Sequence, residues 1–87
     1  MMKVKLSSCG NPDYRQDPNA SISPAETISV ETLKEASERC ESYIARWDLG
    51  GGNWAGGQVY DAGKQIARIS YNGRIWGMNG NEINEED

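Results

Sequence analysis

Apolar residues recur every three or four positions between residues 32 and 47, which is the spacing of one helix face. That face consists of Leu33, Ala36, Cys40, Tyr43, Ile44 and Trp47. Thr32 and Glu35 form the Ser/Thr-x-x-Glu pattern that satisfies the first amides of a helix. Gly50 is expected to end the helix in the left-handed conformation. The pattern therefore predicts an amphipathic helix over residues 32–47.

Alternating apolar and polar residues predict strands on both sides of this helix. Val4 and Leu6 share one side of the first strand, and Ile28 and Val30 face the core from the second. The predicted strands are residues 3–7, 26–30, 58–60, 64–71 and 74–76. The sequence therefore predicts an α+β fold, with one helix packed on an antiparallel sheet of four to five strands, in the order β-β-α-β-β-β.

Two turns in the second half of the chain decide which side chains face the helix. Residues 61–63, Asp-Ala-Gly, predict a three-residue hairpin loop, and Asn72-Gly73 predicts a two-residue turn. With these turns, the side chains facing the helix are Val59, Ala67, Ile69 and Trp76. The opposite, open face then carries Ile66, Arg68, Ser70 and Ile75. A slip of one residue would exchange the two faces, and the sequence alone leaves both registers open.

The length of 87 residues suits one domain, predicted over residues 1–78. Residues 8–25 contain all three prolines and have no apolar period, which predicts a long irregular loop. This loop exceeds the usual length of a connection, so it is either a binding loop or a mobile connector. Tyr14 and Arg15 are its only large side chains. Residues 79–87 are expected to form an acidic, flexible tail.

The composition argues against an enzyme. The chain has no histidine, which is the commonest general base and a frequent metal ligand. The glycine-rich segment 50–57 lacks the Lys-Ser/Thr of a phosphate-binding loop, and it follows a helix where a dinucleotide site needs a strand. We therefore expect a protein that is not an enzyme and that has no metal or cofactor.

Charge and cysteine content bear on partners and location. Thirteen acidic and nine basic residues give a net charge of −4, which disfavours binding to the phosphates of nucleic acids. The sequence has no apolar run long enough to enter a membrane. Two cysteines are too few for a disulfide framework. These features predict a cytoplasmic protein with free thiols and no membrane partner.

Trp54 lies in the middle of the glycine-rich segment, and two interpretations stay open. In the first, the segment ends the helix and leads into the sheet, with Trp54 packed against the edge of the core. In the second, mobile glycines present Trp54 to a partner.

The element order itself carries a resemblance. A strand, a capped helix and a meander that contains Asp61-Ala62-Gly63-Lys64 and ends in an aromatic strand follow one another over residues 26–76. In size, acidity and element order, this stretch resembles small phage-encoded anti-CRISPR proteins. The resemblance implies a non-enzymatic inhibitor that binds a host defence complex, and it transfers no site residue.

We therefore expect a small protein-binding module, an inhibitor or adaptor from a phage or mobile element that binds a host protein or protein complex. Its predicted contact residues are Tyr14, Arg15, Trp54, Ile66 and Arg68. One alternative is a nucleic-acid-binding sheet that uses Arg68, Tyr71, Arg74 and Trp76. Another alternative is a homodimer formed through the open sheet face.

Overall fold

One six-stranded antiparallel sheet carries a single α-helix on one face in the computed structural model, which describes residues 2–10 and 23–83. The elements are β1 (Met2–Leu6), β2 (Glu26–Val30), α1 (Leu33–Arg46), β3 (Gln58–Asp61), β4 (Lys64–Ile69), β5 (Ile75–Gly77) and β6 (Glu82–Ile83). The strand order across the sheet is β2-β1-β3-β4-β5-β6. The predicted α+β architecture is confirmed, with six strands where four to five were expected.

The additional strand, β6, lies in the stretch that was expected to be a flexible tail. It pairs with β5 through Ile75 with Ile83 and Trp76 with Glu82. Ile83 also packs against the core. The proposed domain boundary at residue 78 is therefore too early, because the sheet continues to residue 83.

The core lies between α1 and the sheet face toward it, because alternate residues of each strand point to that side. Its buried apolar side chains are Val4, Leu6, Val30, Ala36, Cys40, Tyr43, Leu49, Val59, Ala67, Ile69 and Ile75. The predicted helix face is confirmed for Ala36, Cys40 and Tyr43. Ile44 is half-buried, and Trp47, which follows the last helical residue, is 37% exposed.

The two ends of α1 differ in how well the sequence predicted them. The Thr32 hydroxyl accepts a hydrogen bond from the Glu35 amide at 3.0 Å, so the predicted N-cap is confirmed. At the other end, Asp48 takes the left-handed conformation, with φ of 50°, whereas Gly50 has φ of −85°. The prediction that Gly50 ends the helix is therefore wrong.

Asp48 ends the helix in a Schellman motif. Its amide donates to the Ala45 carbonyl at 3.3 Å, and the Leu49 amide donates to the Ile44 carbonyl at 3.0 Å. Leu49 follows the left-handed residue and enters the core, with 4% of its surface exposed. Burial of Leu49 explains why the helix ends here, two residues before the first glycine.

The β4–β5 hairpin has a three-residue loop, so the predicted two-residue turn is wrong. Ile69 pairs with Ile75, and the Ser70 amide donates to the Arg74 carbonyl at 2.9 Å. Asn72 lacks the positive φ that a two-residue type I′ turn requires, while Gly73 has φ of 85°. The Asn72 side-chain oxygen instead accepts hydrogen bonds from the Ser70 hydroxyl and the Arg74 amide, as in turns stabilised by Asn.

This loop reverses the orientation of Ile75 and Trp76 relative to the prediction. Ile75 is in the core with 7% exposed, and Trp76, paired with Arg68, lies on the open face. The sequence had placed Trp76 toward the helix and Ile75 outside.

The loop of the β3–β4 hairpin is one residue shorter than predicted. Ala62 and Gly63 have φ of 54° and 80°, so they form a two-residue type I′ turn where three loop residues were expected. A β-bulge follows, because Val59 pairs with Ala67 but Tyr60 pairs with Gln65. Ile66 is the extra residue of this bulge. It packs against the core, and its predicted place on the open face is wrong.

Asp48→Gly should raise the free energy of unfolding by about 0.5–1 kcal/mol, because glycine adopts a positive φ without steric cost. Urea denaturation followed by circular dichroism measures the change. Glu38→Gly, at an exposed position inside α1, is the control and should lower stability by about 1 kcal/mol. A loss of stability in both variants would contradict the helix end described here.

Ile75→Ala should lower the free energy of unfolding by about 2–5 kcal/mol, since it truncates a buried aliphatic side chain. Trp76→Ala should cost less than about 1 kcal/mol, because that ring lies outside the core. Thermal and urea unfolding of the two variants check the register directly. If Trp76→Ala destabilised the protein more than Ile75→Ala, the result would support the two-residue turn at Asn72-Gly73 instead.

Candidate binding surface

The five predicted contact residues occupy different environments. Tyr14 and Arg15 lie outside the described residues. Trp54 and Ile66 are half-buried and pack against the core, and Arg68 is exposed on the open face. Of the three described residues, Arg68 therefore remains available for a partner.

Trp54 is held inward by its own contacts. Its indole N–H donates to the Ile69 carbonyl at 3.1 Å, and its ring centroid lies 6.1 Å from that of Tyr43. Gly57 has φ of 98°, and a Cβ built there would lie 2.1 Å from the same carbonyl. The glycine segment therefore allows close packing of the chain against β4, as in the first interpretation of Trp54.

The open face is the sheet surface opposite α1. Its side chains are Lys3, Lys5, Thr27, Ser29, Gln58, Tyr60, Gln65, Arg68, Trp76 and Glu82. Lys3 lies directly opposite Tyr60 on the neighbouring strand, and Arg68 lies directly opposite Trp76. Directly opposed side chains have Cβ atoms about 4.5–5.5 Å apart. The open face thus contains two cross-strand pairs of the same kind, each with one basic and one aromatic residue.

Each cation–aromatic pair borders a shallow depression. One depression has a volume of about 460 Å³ and is lined by Gln65, Arg68, Trp76, Gly77, Met78 and Gly80. The other has a volume of about 380 Å³ and is lined by Lys3, Thr27, Tyr60, Ala62 and Gly63. Tyr60 and Gln65, which pair across β3 and β4, connect the two. The described residues place no second layer over this face.

The charge of the open face is opposite to that of the whole sequence. On the open face, Lys3, Lys5 and Arg68 accompany one acid, Glu82. The net charge of −4 therefore does not describe this surface.

The described residues contain little that resembles a reactive centre. They hold no group of three or more His, Cys, Asp or Glu side chains placed to bind a metal ion. Their one α-helix is too short and too polar to cross a membrane. Cys9 and Cys40 are both free thiols, as the composition predicted. Burial, together with the Glu41 carboxylate, raises the pKa of Cys40 from 9.0 to about 12.

Comparisons with protein-family models, with curated proteins and with solved structures find no match to this chain. The resemblance to anti-CRISPR proteins therefore stays a prediction from size, charge and element order.

Cys40 should react with Ellman's reagent at pH 8 at least about a hundredfold more slowly than Cys9, because its thiol is buried and stays protonated. Cys9→Ser and Cys40→Ser isolate the two thiols, and urea should restore the reactivity of Cys40.

The raised pKa also predicts that this thiol's contribution to stability is lost between pH 9.0 and about 12, since the unfolded thiol ionises first. Equal native rates in the two variants would contradict the burial of Cys40.

Proposed function

We propose that this chain is a non-enzymatic protein-binding module whose contact surface is the open face. The observation that carries the proposal is the pair of cross-strand neighbours, Lys3 with Tyr60 and Arg68 with Trp76, on a sheet face that no other described element covers. Tyr, Trp and Arg dominate interface hot spots because each gives a large contact area or several hydrogen bonds. The core does not need these side chains, which leaves them available for a partner.

The charge of the open face indicates the kind of partner. With Lys3, Lys5 and Arg68 against Glu82, it complements an acidic protein surface. The proposed setting is the cytoplasm, and the proposed partner is a host protein or protein complex. The role of a phage-derived inhibitor rests on the anti-CRISPR resemblance alone.

Arg68→Glu and Trp76→Ala should each weaken partner capture by at least about tenfold, because both remove central contacts of the open face. The protein is immobilised, incubated with nuclease-treated lysate of its native host, and the captured proteins are quantified by mass spectrometry. Glu38→Lys, on the exposed side of α1, is the matched charge-reversal control and should leave capture unchanged.

The predicted loop contacts are tested in the same assay. If Tyr14→Ala or Arg15→Ala abolishes capture while Arg68→Glu does not, the open face is not the contact surface. Native circular dichroism spectra and melting temperatures well above the assay temperature for all variants show that the losses come from binding.

Single-stranded nucleic acid is the second candidate partner, and the same cation–aromatic repeat favours it. Bases stack on aromatic side chains and phosphates pair with Lys and Arg on many sheet-based binders. On the open face Lys3, Lys5 and Arg68 outnumber Glu82, which reduces the electrostatic objection raised by the net charge.

Fluorescence anisotropy with a labelled oligothymidine distinguishes this candidate. Nucleic-acid binding predicts an affinity that falls steeply with salt and is lost in Trp76→Ala. Lack of oligothymidine binding at low salt, with protein capture intact, supports the protein partner. A mass that doubles with concentration in size-exclusion light scattering, and that Trp76→Ala abolishes, would instead assign the open face to a homodimer.

A further inference from the structure

We propose that the outer edge of β2, together with the groove between β2 and α1, binds an extended acidic peptide segment of a partner protein as an additional strand. This site is separate from the open face, since it lies on the helix side of the sheet edge. Its test is therefore independent of the function proposed above.

The backbone of β2 provides the first part of the site. In the sheet of the described residues, β2 is a terminal strand and pairs with β1 alone. Over its five residues, Glu26–Val30, it has no proline, no lysine and no bulge, which are features that commonly protect a sheet edge, and its one charged residue is Glu26 at the first position. Such an edge can accept the main chain of an extended peptide.

A groove beside this edge provides the second part. Its floor is apolar, its rim is polar, and its lining includes Leu6, Ile28, Arg39, Ser42, Tyr43 and Arg46. The volume is about 160 Å³, below the roughly 300–1,000 Å³ of typical small-molecule sites. Alternate residues of an added strand point toward α1, so one apolar side chain can occupy the groove while the main chain pairs with β2.

The rim of the groove determines the charge of the peptide. Arg39 and Arg46 are both exposed and stand seven residues apart on one stripe of α1, a separation of about 10.5 Å along the helix. The Arg46 guanidinium lies 5.2 Å from the Trp47 ring centroid. Glu26 is the one acid in the lining and reduces the positive charge without cancelling it. The rim therefore complements a peptide with more than one carboxylate.

The spacing of the two arginines indicates the pattern of the peptide. Residues four apart on a strand point to the same side and lie about 13 Å from one another. A segment with the pattern acid-x-apolar-x-acid can therefore place its apolar residue in the groove and a carboxylate near each guanidinium. Arginine binds carboxylates through paired hydrogen bonds, which favours acids over other polar side chains.

A synthetic peptide tests the proposal with the full chain. The probe is fluorescein-labelled Thr-Glu-Thr-Val-Thr-Glu-Thr, and the control peptide replaces both acids with lysine. Anisotropy should detect saturable binding of the acidic peptide and at least about tenfold weaker binding of the basic one. Hydrogen exchange should slow at amides of residues 26–30 when the acidic peptide is bound.

Three variants relate the binding to the named residues. Arg39→Glu and Arg46→Glu should each raise the dissociation constant of the acidic peptide by at least about fivefold. Glu26→Gln should lower that dissociation constant. Arg68→Glu, on the open face, should leave it unchanged. All four positions are exposed, so unfolding is not expected to complicate the comparison.

Several results would overturn the proposal. They are equal affinity for the two peptides, no saturation at millimolar concentration, or binding without protection of residues 26–30. A concentration-dependent dimer that protects the same amides without peptide would assign this edge to a second copy of the chain. Loss of lysate capture in Arg68→Glu with peptide binding intact would separate the open face from this edge.

Discussion

A single helix can cover one face of this sheet and no more, and the rest of the structure depends on that limit. Helix α1 has 14 residues, so it is about 21 Å long, while six strands at about 4.8 Å spacing span about 24 Å between the two edges. The aliphatic residues of the sheet must therefore face α1, and the large rings of Tyr60 and Trp76 lie on the opposite face. The opposite face has to tolerate water, and Lys3, Lys5 and Arg68 meet that requirement. The open face is thus a consequence of having one helix for six strands, whatever it contacts.

Tyr43 holds the covered side together. Only 4% of its surface is exposed, and its hydroxyl donates to the Pro24 carbonyl at 2.6 Å while lying 2.6 Å from the Ser23 hydroxyl. Its ring packs 6.1 Å from that of Trp54, which in turn bonds to β4. One side chain of α1 thereby joins the helix to the segment before β2 and to the glycine-rich segment after α1. A buried hydroxyl with partners on separate segments also fixes their relative positions, which apolar contacts alone do less well.

The sequence predicted elements well and their relative registers poorly, for a physical reason. A helix face or a strand alternation is written in neighbouring residues, so α1 and the first five strands could be located. The register of a hairpin changes when its loop gains or loses one residue. For both hairpins of this chain, local residue preferences predicted the wrong loop length. Asn72-Gly73 is a frequent two-residue turn, yet the Asn72 side chain stabilises a three-residue loop. Ala62 lacks the side-chain chemistry usual at positive φ, and the bulge at Ile66 has no sequence signal of its own.

The same loop lengths decide what the candidate surface contains. With a two-residue turn at Asn72-Gly73, Trp76 would have entered the core opposite Ile69, and Arg68 would have lain opposite Gly77, which has no side chain. The three-residue loop sets Trp76 directly opposite Arg68 on the neighbouring strand instead. The placement of Lys3 beside Tyr60 does not depend on this loop. The alternation of β1 puts Lys3 on the open face and Val4 in the core, and Tyr60 is the cross-strand partner of Lys3. One half of the repeated cation–aromatic arrangement is therefore encoded by strand alternation. The other half depends on the hydrogen bonds that Asn72 makes within its own loop.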